Sequence, residues 1–392
     1  MQIFNLIAQF PATVRRKTSS GQFMPQIDGL RFLAIATVLA VHIIAYAIGK
    51  STAPAQSFWF VSTYEHLARG VQLFFVISGF VIAMPFVLQA TNGAPAVSLM
   101  DFFVRRLTRL EPPFLIAMLL TFASLVLVHH SPARTLLPHM LATCTYTHAV
   151  IFGTKSPIAF ITWSLEIEVQ FYLTAPLIMT ALRLKPLIRR LVFISLSGIA
   201  LTLHTLIAQS HPVLAASLLA YLPFFLSGIV VCDLAVANNF WKNCRSTTWD
   251  VIGIVALVAA YSIPTSPVWT SAAMPILFGI AVTAAFRGTS MASWMSLPWL
   301  TAIGGMCYTI YLLHIPLIYL FGHVVTPAMI LQNPALNVVI CLLILPIPVL
   351  VSCSLFFLAI EKPCMNKHWP RDLARFIFPV RRDNVTPQPV SL

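Results

Sequence analysis

The stretch Asp28-Gly-Leu-Arg31-Phe-Leu-Ala-Ile-Ala-Thr-Val-Leu-Ala-Val-His42 places a histidine inside the first long apolar run of the chain. The eleven steps from Arg31 to His42 end about 20° past three full helical turns, so both side chains share one helical face about 16 Å apart. Lipid strongly disfavours ionisable groups, and those inside a membrane span are functional candidates for that reason. The histidine therefore calls for a chemical explanation.

The composition is that of a polytopic membrane protein. Of 392 residues, 58% are hydrophobic and 9% are charged, and the mean hydropathy is +0.86. This mixture lies far from that of soluble globular domains. About ten stretches are long and apolar enough to cross a bilayer: 31–49, 67–90, 112–130, 158–181, 191–210, 213–237, 250–264, 268–286, 298–323 and 336–360. We therefore predict an all-α fold with about ten transmembrane helices.

The distribution of basic residues orients these spans. With the N-terminus in the cytoplasm, 20 of the 24 Lys and Arg residues fall in cytoplasmic segments, as the positive-inside rule requires. The four exceptions are Lys50, Arg69, Arg134 and Lys155. We predict that both termini are cytoplasmic. The net charge of +13 then reflects topology and affinity for anionic lipid, not nucleic-acid binding.

One membrane domain accounts for nearly the whole chain. We predict a cytoplasmic N-terminal segment over 1–27, with an amphipathic part on the membrane surface, the membrane domain over 28–363 and a basic cytoplasmic tail over 364–392. The seven cysteines show no CxxC pairing and no metal-ligand spacing with histidine. They are interpreted as small buried residues, and no metal is implied.

Three arginines mark the predicted cytoplasmic start of the third span: Arg105, Arg106 and Arg109. Arg106 and Arg109 are neighbours on a helix, and each guanidinium fork suits phosphate oxygens. A positive-inside anchor is the competing interpretation. Because the motif is predicted on the same membrane face as Arg31, the two sites together could hold a polyanionic cytosolic ligand.

Two carboxylates begin the fourth span, in Trp163-Ser-Leu-Glu166-Ile-Glu168-Val-Gln-Phe-Tyr172. Residues two apart point to different sides of a helix, so at most one faces a given site. Glu168 lies deeper and suits a partner for a histidine. Glu166 better fits an acid stabilised by the dipole of a helix N-terminus.

Polar residues also interrupt two other spans. Tyr311 and His314 are three apart on one helical face, and an interhelical hydrogen bond explains His314 as well as catalysis does. In the second span, small and polar residues recur seven apart, at Gly70-Val-Gln72 and Ser78-Gly79-Phe80. Close helix packing is the first explanation for that spacing.

Six stretches in register carry a family resemblance. They are Asp28 to His42, Gly70 to Phe80, Arg106 to Arg109, Trp163 to Tyr172, Tyr308 to Pro316 and Glu361-Lys362-Pro363. In this order they resemble the acyltransferase 3 family of bacterial membrane acyltransferases, in the form without a fused esterase-like domain. Departures from the family pattern are Glu111, Cys307 and Glu166, and they bear on substrate detail.

The resemblance implies an O-acyltransferase of the bacterial cytoplasmic (inner) membrane. The donor would be an acyl-CoA, usually cytosolic acetyl-CoA, and the acceptor a hydroxyl of a cell-surface or exported glycan. Matched by position, Arg31, His42 and Glu168 become catalytic candidates, and Arg105, Arg106 and Arg109 become candidates for binding CoA phosphates. Trp163, Tyr172, Tyr311 and His314 become substrate-binding candidates.

Acyl transfer from a thioester to an alcohol needs a base, an oxyanion site and two substrates in reach of each other. His42 suits the base, with Glu168 orienting it, and a transiently acylated His42 is the alternative.

A transporter or flippase of an acyl group or glycolipid is the rival function, since midplane ionisable residues are typical there too. A receptor or scaffold leaves Arg31, His42 and Glu168 unexplained. The predicted outside segment from His129 to Phe160 either contacts a glycan or forms a structural cap, and the oligomeric state stays open.

Overall fold

The computed structural model describes residues 9–14, 23–50, 64–207, 217–240, 245–264, 268–325, 333–366 and 369. These residues form helices and contain no strand. Residues 9–13 are helical, and the α-helices of five residues or more that follow them in chain order are α1 Pro25–Gly49, α2 Gly70–Asn92, α3 Leu99–Leu127, α4 Ala133–Cys144, α5 His148–Phe152, α6 Trp163–Ile178, α7 Pro186–Ile207, α8 Leu218–Ala237, α9 Thr247–Ser262, α10 Val268–Arg287, α11 Ser290–Met295, α12 Pro298–Gly305, α13 Cys307–Val325, α14 Pro334–Ile344 and α15 Pro346–Phe356.

Wherever the structure describes the ten predicted spans, each is mainly helical, which confirms an all-α polytopic membrane protein. Within the described residues, eight helical segments are long and apolar enough to cross a bilayer, and two shorter apolar helices occupy 247–262 and 271–287. The structure differs from the prediction in the third and ninth spans, and it also divides the predicted span 336–360 into α14 and α15. The third span begins at Leu99, so the arginine motif lies on α3 itself. The predicted span 298–323 is broken at Met306 into α12 and α13.

Helix α1 lies at the centre of the bundle. It packs against α2, α12, α13 and α14, and residues such as Ile27, Leu30 and Ala34 on it are buried. Since α1 carries both Arg31 and His42, its neighbours supply the surroundings of both side chains.

Glycines bring α2 and α8 into backbone contact. A Cβ atom on Gly79 would overlap the carbonyl of Phe225, and one on Gly228 would overlap the carbonyl of Val76. Helices in lipid associate through such close packing of small residues. The Gly79 part of the spacing seen in the second span therefore has a packing role.

An ion pair joins α7 to α8. The buried Asp233 carboxylate accepts a hydrogen bond from Arg189 and another from Arg190 Nε at 2.6 Å. A buried carboxylate is tolerated when it is paired in this way. These two basic residues, counted above as topology signals, thus also hold the fold together.

The segment between α3 and α6 folds back into the bundle. Helix α4 packs along α3, and the Tyr146 ring that follows it stacks on Phe114, with ring centroids 4.8 Å apart. Phe114 lies thirteen residues before the end of α3 at Leu127, or about 20 Å down the helix. Much of the predicted outside segment from His129 to Phe160 is therefore re-entrant: it descends on α4, turns at Tyr146 and returns through α5. Non-helical backbone at such depth is tolerated where protein surrounds it.

Residues near the two ends of the chain meet at one end of the bundle. Lys362 Nζ donates to the Thr13 carbonyl at 2.5 Å, and Phe10 stacks on Trp299 with centroids 5.5 Å apart. The described residues 9–14 of the predicted surface segment thus pack on the bundle. Residues 1–8 and 15–22, and most of the predicted tail over 364–392, lie outside the described residues.

Candidate functional site

Arg31 is held at its place on α1 by its own helix. Arg31 Nη1 donates to Asp28 Oδ1 at 2.8 Å, with the Asp28 side chain 1% and the Arg31 side chain 14% exposed. The pair is three residues apart, so the helix itself sets the geometry. The charge of Glu168 lies near enough to act on Arg31 as well.

Glu168 belongs to a polar cluster on the side of the site that contains the arginines. Its Oε1 accepts hydrogen bonds from Tyr172 Oη at 2.6 Å and from Ser78 Oγ at 2.9 Å. Its charge acts on both Arg31 and Arg106. We call Arg31, Arg106, Glu168, Tyr172 and Ser78 the arginine–glutamate cluster. It unites side chains from α1, α2, α3 and α6.

Arg106 is oriented by aromatic rings. Its guanidinium lies 3.6 Å from the centroid of the Phe102 ring and 5.3 Å from that of the Tyr172 ring. Its Nη1 donates to the Phe102 carbonyl at 2.8 Å. Cation–π contacts of this kind fix a guanidinium plane and leave its other donors for a ligand.

The other two arginines of the motif differ in setting. Arg105 is exposed, with its Nη1 4.0 Å from Asp101 Oδ2. Arg109 has a buried Nε without a hydrogen-bond acceptor among the described residues. A buried donor of this kind is costly unless paired, and a phosphate oxygen would suit it. The chemistry of this donor set therefore fits the phosphates of a CoA.

His42 lies further along α1, next to a second histidine. The ring centroids of His42 and His314 are 5.1 Å apart, and the Phe160 ring lies edge-on to His42 at 5.5 Å. His42 makes no hydrogen bond with any described residue. The structure does not bring Glu168 to His42, because that carboxylate is engaged in the arginine–glutamate cluster.

Tyr311 ties two helices together between these groups. Its hydroxyl donates to the Ile161 carbonyl at 2.6 Å and lies 2.6 Å from Ser164 Oγ. Because a tyrosine hydroxyl has one proton, Ser164 is the donor in the second bond. Tyr311 precedes His314 by one helical turn. It therefore fixes the start of α6 against the helix that carries His314.

Trp163 and Glu166 occupy the start of α6. The Trp163 ring is 5.3 Å from that of Tyr221, and Lys155 Nζ lies 5.9 Å from the Trp163 ring. Glu166 Oε2 accepts from the Ala149 N–H at 2.9 Å. Glu166 thus lies in the first turn of its own helix, as its dipole interpretation requires, and its hydrogen bond also reaches the N-terminus of α5.

The re-entrant segment contains a histidine pair of its own. His139 Nδ1 and His148 Nε2 are 2.9 Å apart, and His148 Nδ1 donates to the Thr154 carbonyl at 3.0 Å. Because Nδ1 carries the hydrogen of a neutral His148, its Nε2 is an acceptor, and His139 donates the shared hydrogen bond.

Sequence reasoning missed two contributors to this region. Ser78, interpreted through packing alone, binds Glu168; its hydroxyl in an apolar span was the available signal. Tyr146 lies close enough to interact with Glu111, Tyr172 and Glu168, and its depth depends on a turn with positive φ that no motif marks. Among the described residues, no group of three His, Cys, Asp or Glu is arranged to hold a metal ion.

The chain has relatives among known proteins. Residues 24–355 match the family model described as an acyltransferase domain. The chain is 26% identical to O-acetyltransferase OatA of Staphylococcus aureus (strain NCTC 8325 / PS 47) over 341 residues, which cover 77% of this chain and 52% of that protein. It is 31% identical to peptidoglycan O-acetyltransferase OatA of Listeria monocytogenes over 169 residues, 40% of this chain and 24% of that protein. The chain thus spans about half the length of the first relative. No solved structure matches it significantly.

Proposed function

Because this chain belongs to the acyltransferase 3 family, we propose that it is a membrane-embedded O-acetyltransferase that moves an acetyl group from cytosolic acetyl-CoA to a hydroxyl of a glycan. The single observation that carries the proposal is the arrangement on α1, where one helix presents Arg31 to the arginine–glutamate cluster and His42 to a separate site along the same face. Such an arrangement suits a long donor whose charged end and reacting end are far apart.

The donor site is assigned to the arginines. Arg106, fixed by Phe102 and Tyr172, and Arg109, with its unpaired buried Nε, would hold CoA phosphates. Glu168 neutralises part of this positive charge and orients Tyr172. We therefore assign Glu168 to the donor side of the site rather than to His42.

The reacting end is assigned to His42. A neutral imidazole can take the proton of the acceptor hydroxyl as that oxygen attacks the thioester carbonyl, and then return it to the departing thiolate. Alternatively its nitrogen carries the acyl group for one turnover. The two roles are separable, since only the second gives labelled protein when acetyl-labelled donor is supplied without acceptor.

The acceptor proposed first is a peptidoglycan hydroxyl, because the Listeria relative bears that name. Trp163 and Tyr221 form an aromatic pair at the start of α6, and Phe160 is 40% exposed beside His42. Rings of this kind suit the apolar faces of sugars. Acceptor binding is accordingly assigned to this end of the site.

The test is transfer by purified protein in detergent, with labelled acetyl-CoA and a peptidoglycan fragment. We expect acetylated product, its loss in His42→Ala by about 100-fold or more, and unchanged CoA binding in that variant. His323→Ala, an exposed histidine on α13, is the matched control.

Two outcomes would contradict the proposal. Wild-type turnover by His42→Ala would remove the histidine from the chemistry. Label that moves only across sealed vesicles, with no acetylated product, would favour the transporter or flippase instead.

A further inference from the structure

His314 has a defined protonation pattern. Its Nδ1 lies 2.8 Å from the Tyr311 carbonyl oxygen and 3.0 Å from that of Ile310. Both partners can only accept, so Nδ1 carries the hydrogen. A neutral imidazole has one N–H, and Nε2 of His314 is therefore a lone-pair acceptor.

That acceptor is buried and unused by the protein around it. His314 is 0% exposed, and its Nε2 has no hydrogen-bond partner among the described residues. An unpaired buried acceptor carries a desolvation cost. The ring that faces it with a nitrogen to offer is His42, with centroids 5.1 Å apart and ring planes inclined by 44°.

A second histidine pair in the same molecule shows what this separation permits. His139 and His148 also have centroids 5.1 Å apart, with planes inclined by 34°, and they share a hydrogen bond of 2.9 Å between nitrogens. The centroid separation of His42 and His314 is thus one at which two imidazoles can share a hydrogen bond. A turn of the His42 ring about χ2, a torsion with broad preferences, is the movement that would bring one of its nitrogens toward His314 Nε2.

We propose that His314 is a positioning residue for His42: its Nε2 accepts a hydrogen bond from one His42 nitrogen and leaves the other nitrogen free for acyl transfer. This inference rests on the proposed function of His42. Because the hydrogen of His314 is on Nδ1, its Nε2 is the acceptor. That acceptor fixes the tautomer of His42, as the carboxylate does for the histidine of a Ser-His-Asp triad.

When His42 is the base, its free nitrogen takes the proton of the acceptor hydroxyl, whose oxygen bonds to the thioester carbonyl carbon. The C–S bond breaks, and the proton passes from the imidazolium to the thiolate. Throughout, the other nitrogen of His42 keeps its hydrogen and donates it to His314 Nε2. This hydrogen bond stabilises the positive charge of the transient His42 imidazolium.

The test compares three variants that differ in what they place at the Nε2 position. His314→Gln carries an amide oxygen to about that position, His314→Asn is too short to reach it, and His314→Leu fills the space without an acceptor. We expect Asn and Leu to lower kcat about 100-fold with KM for acetyl-CoA unchanged, and Gln to retain kcat within about tenfold of wild type. His323→Asn, on the exposed part of the same helix, controls for the substitution.

Thermal midpoint and CoA binding, measured on each variant, separate folding from catalysis. Equal kcat for the Gln, Asn and Leu variants, whether high or low, would overturn the positioning role. If His42→Ala is inactive while His314→Asn turns over normally, this inference alone fails. If His42→Ala is itself fully active, the proposed function fails with it.

Discussion

At the scale of single residues, the arginines of α3 give a direct prediction about the donor. Replacing both Arg106 and Arg109 with alanine should raise KM for acetyl-CoA by about 100-fold or more, because each charge-assisted hydrogen bond to a phosphate contributes about 1.5–3 kcal/mol. Steady-state kinetics with acetyl-CoA as the varied substrate measures the change.

The control for this double variant is Arg134→Ala, an exposed arginine on α4. Its loss removes one positive charge without touching the arginine–glutamate cluster. Unchanged affinity of the double variant in a CoA titration would contradict the phosphate assignment.

The relative positions of two side chains could be predicted from the sequence when both lie on the same helix. The spacing of Arg31 and His42 is a property of α1 alone, and the structure places both on that helix as expected. The neighbours of Glu168 depend on how α6 packs against α2 and α3. The periodicity of one helix does not predict how it packs against others. Its bonds to Ser78 and Tyr172 therefore emerge only from packing.

At the scale of helices, the α2–α8 contact gives a prediction about stability. Gly79→Ala places a methyl group against the Phe225 carbonyl, so the helices must separate or shift, which costs about 1–3 kcal/mol. We expect a lower thermal midpoint in detergent than for wild type.

Gly198→Ala on α7 is the matched control, because a Cβ there meets no atom within 4 Å. Alanine is the better helix former by about 1 kcal/mol, so this variant should be as stable as wild type or more so. Equal midpoints for Gly79→Ala and Gly198→Ala would show that the helices do not depend on this close approach.

The re-entrant segment is the element that sequence reasoning placed least well. Residues 129–160 are polar enough to be interpreted as an outside loop, since hydropathy rules register only full spans. Their depth is set by tertiary contacts, above all the stacking of Tyr146 on Phe114. Protein surrounds two of their polar groups, since Thr143 and Ser156 lie 2.6 Å apart and are both buried.

At the scale of the whole molecule, the prediction concerns topology. The contact of Lys362 with Thr13 joins residues near both ends of the chain, and 20 of 24 basic residues lie on one predicted side. Reporters inserted after Ala94 and after Asn366 should therefore both be cytoplasmic, and one inserted after Ser131 should be outside. Paired fluorescent-protein and alkaline phosphatase insertions measure this. Opposite sides for Ala94 and Asn366 would contradict a bundle of ten spans.

Composition and charge were sufficient for the class of fold because each span must satisfy the bilayer separately. They could not give the break at Met306 or the central place of α1, since both depend on contacts between helices. The pattern of helices was thus predictable, whereas their arrangement was not.

The ion pair between α7 and α8 has a consequence for biosynthesis. Asp233 becomes buried only beside Arg189 and Arg190, and an unpaired carboxylate would oppose membrane insertion. Chains emerge from the ribosome N-terminal end first, so both arginines are made before the aspartate arrives. The order of the sequence thereby supplies the counter-charges in advance, and a chain without them would be impaired during insertion, before any active site exists.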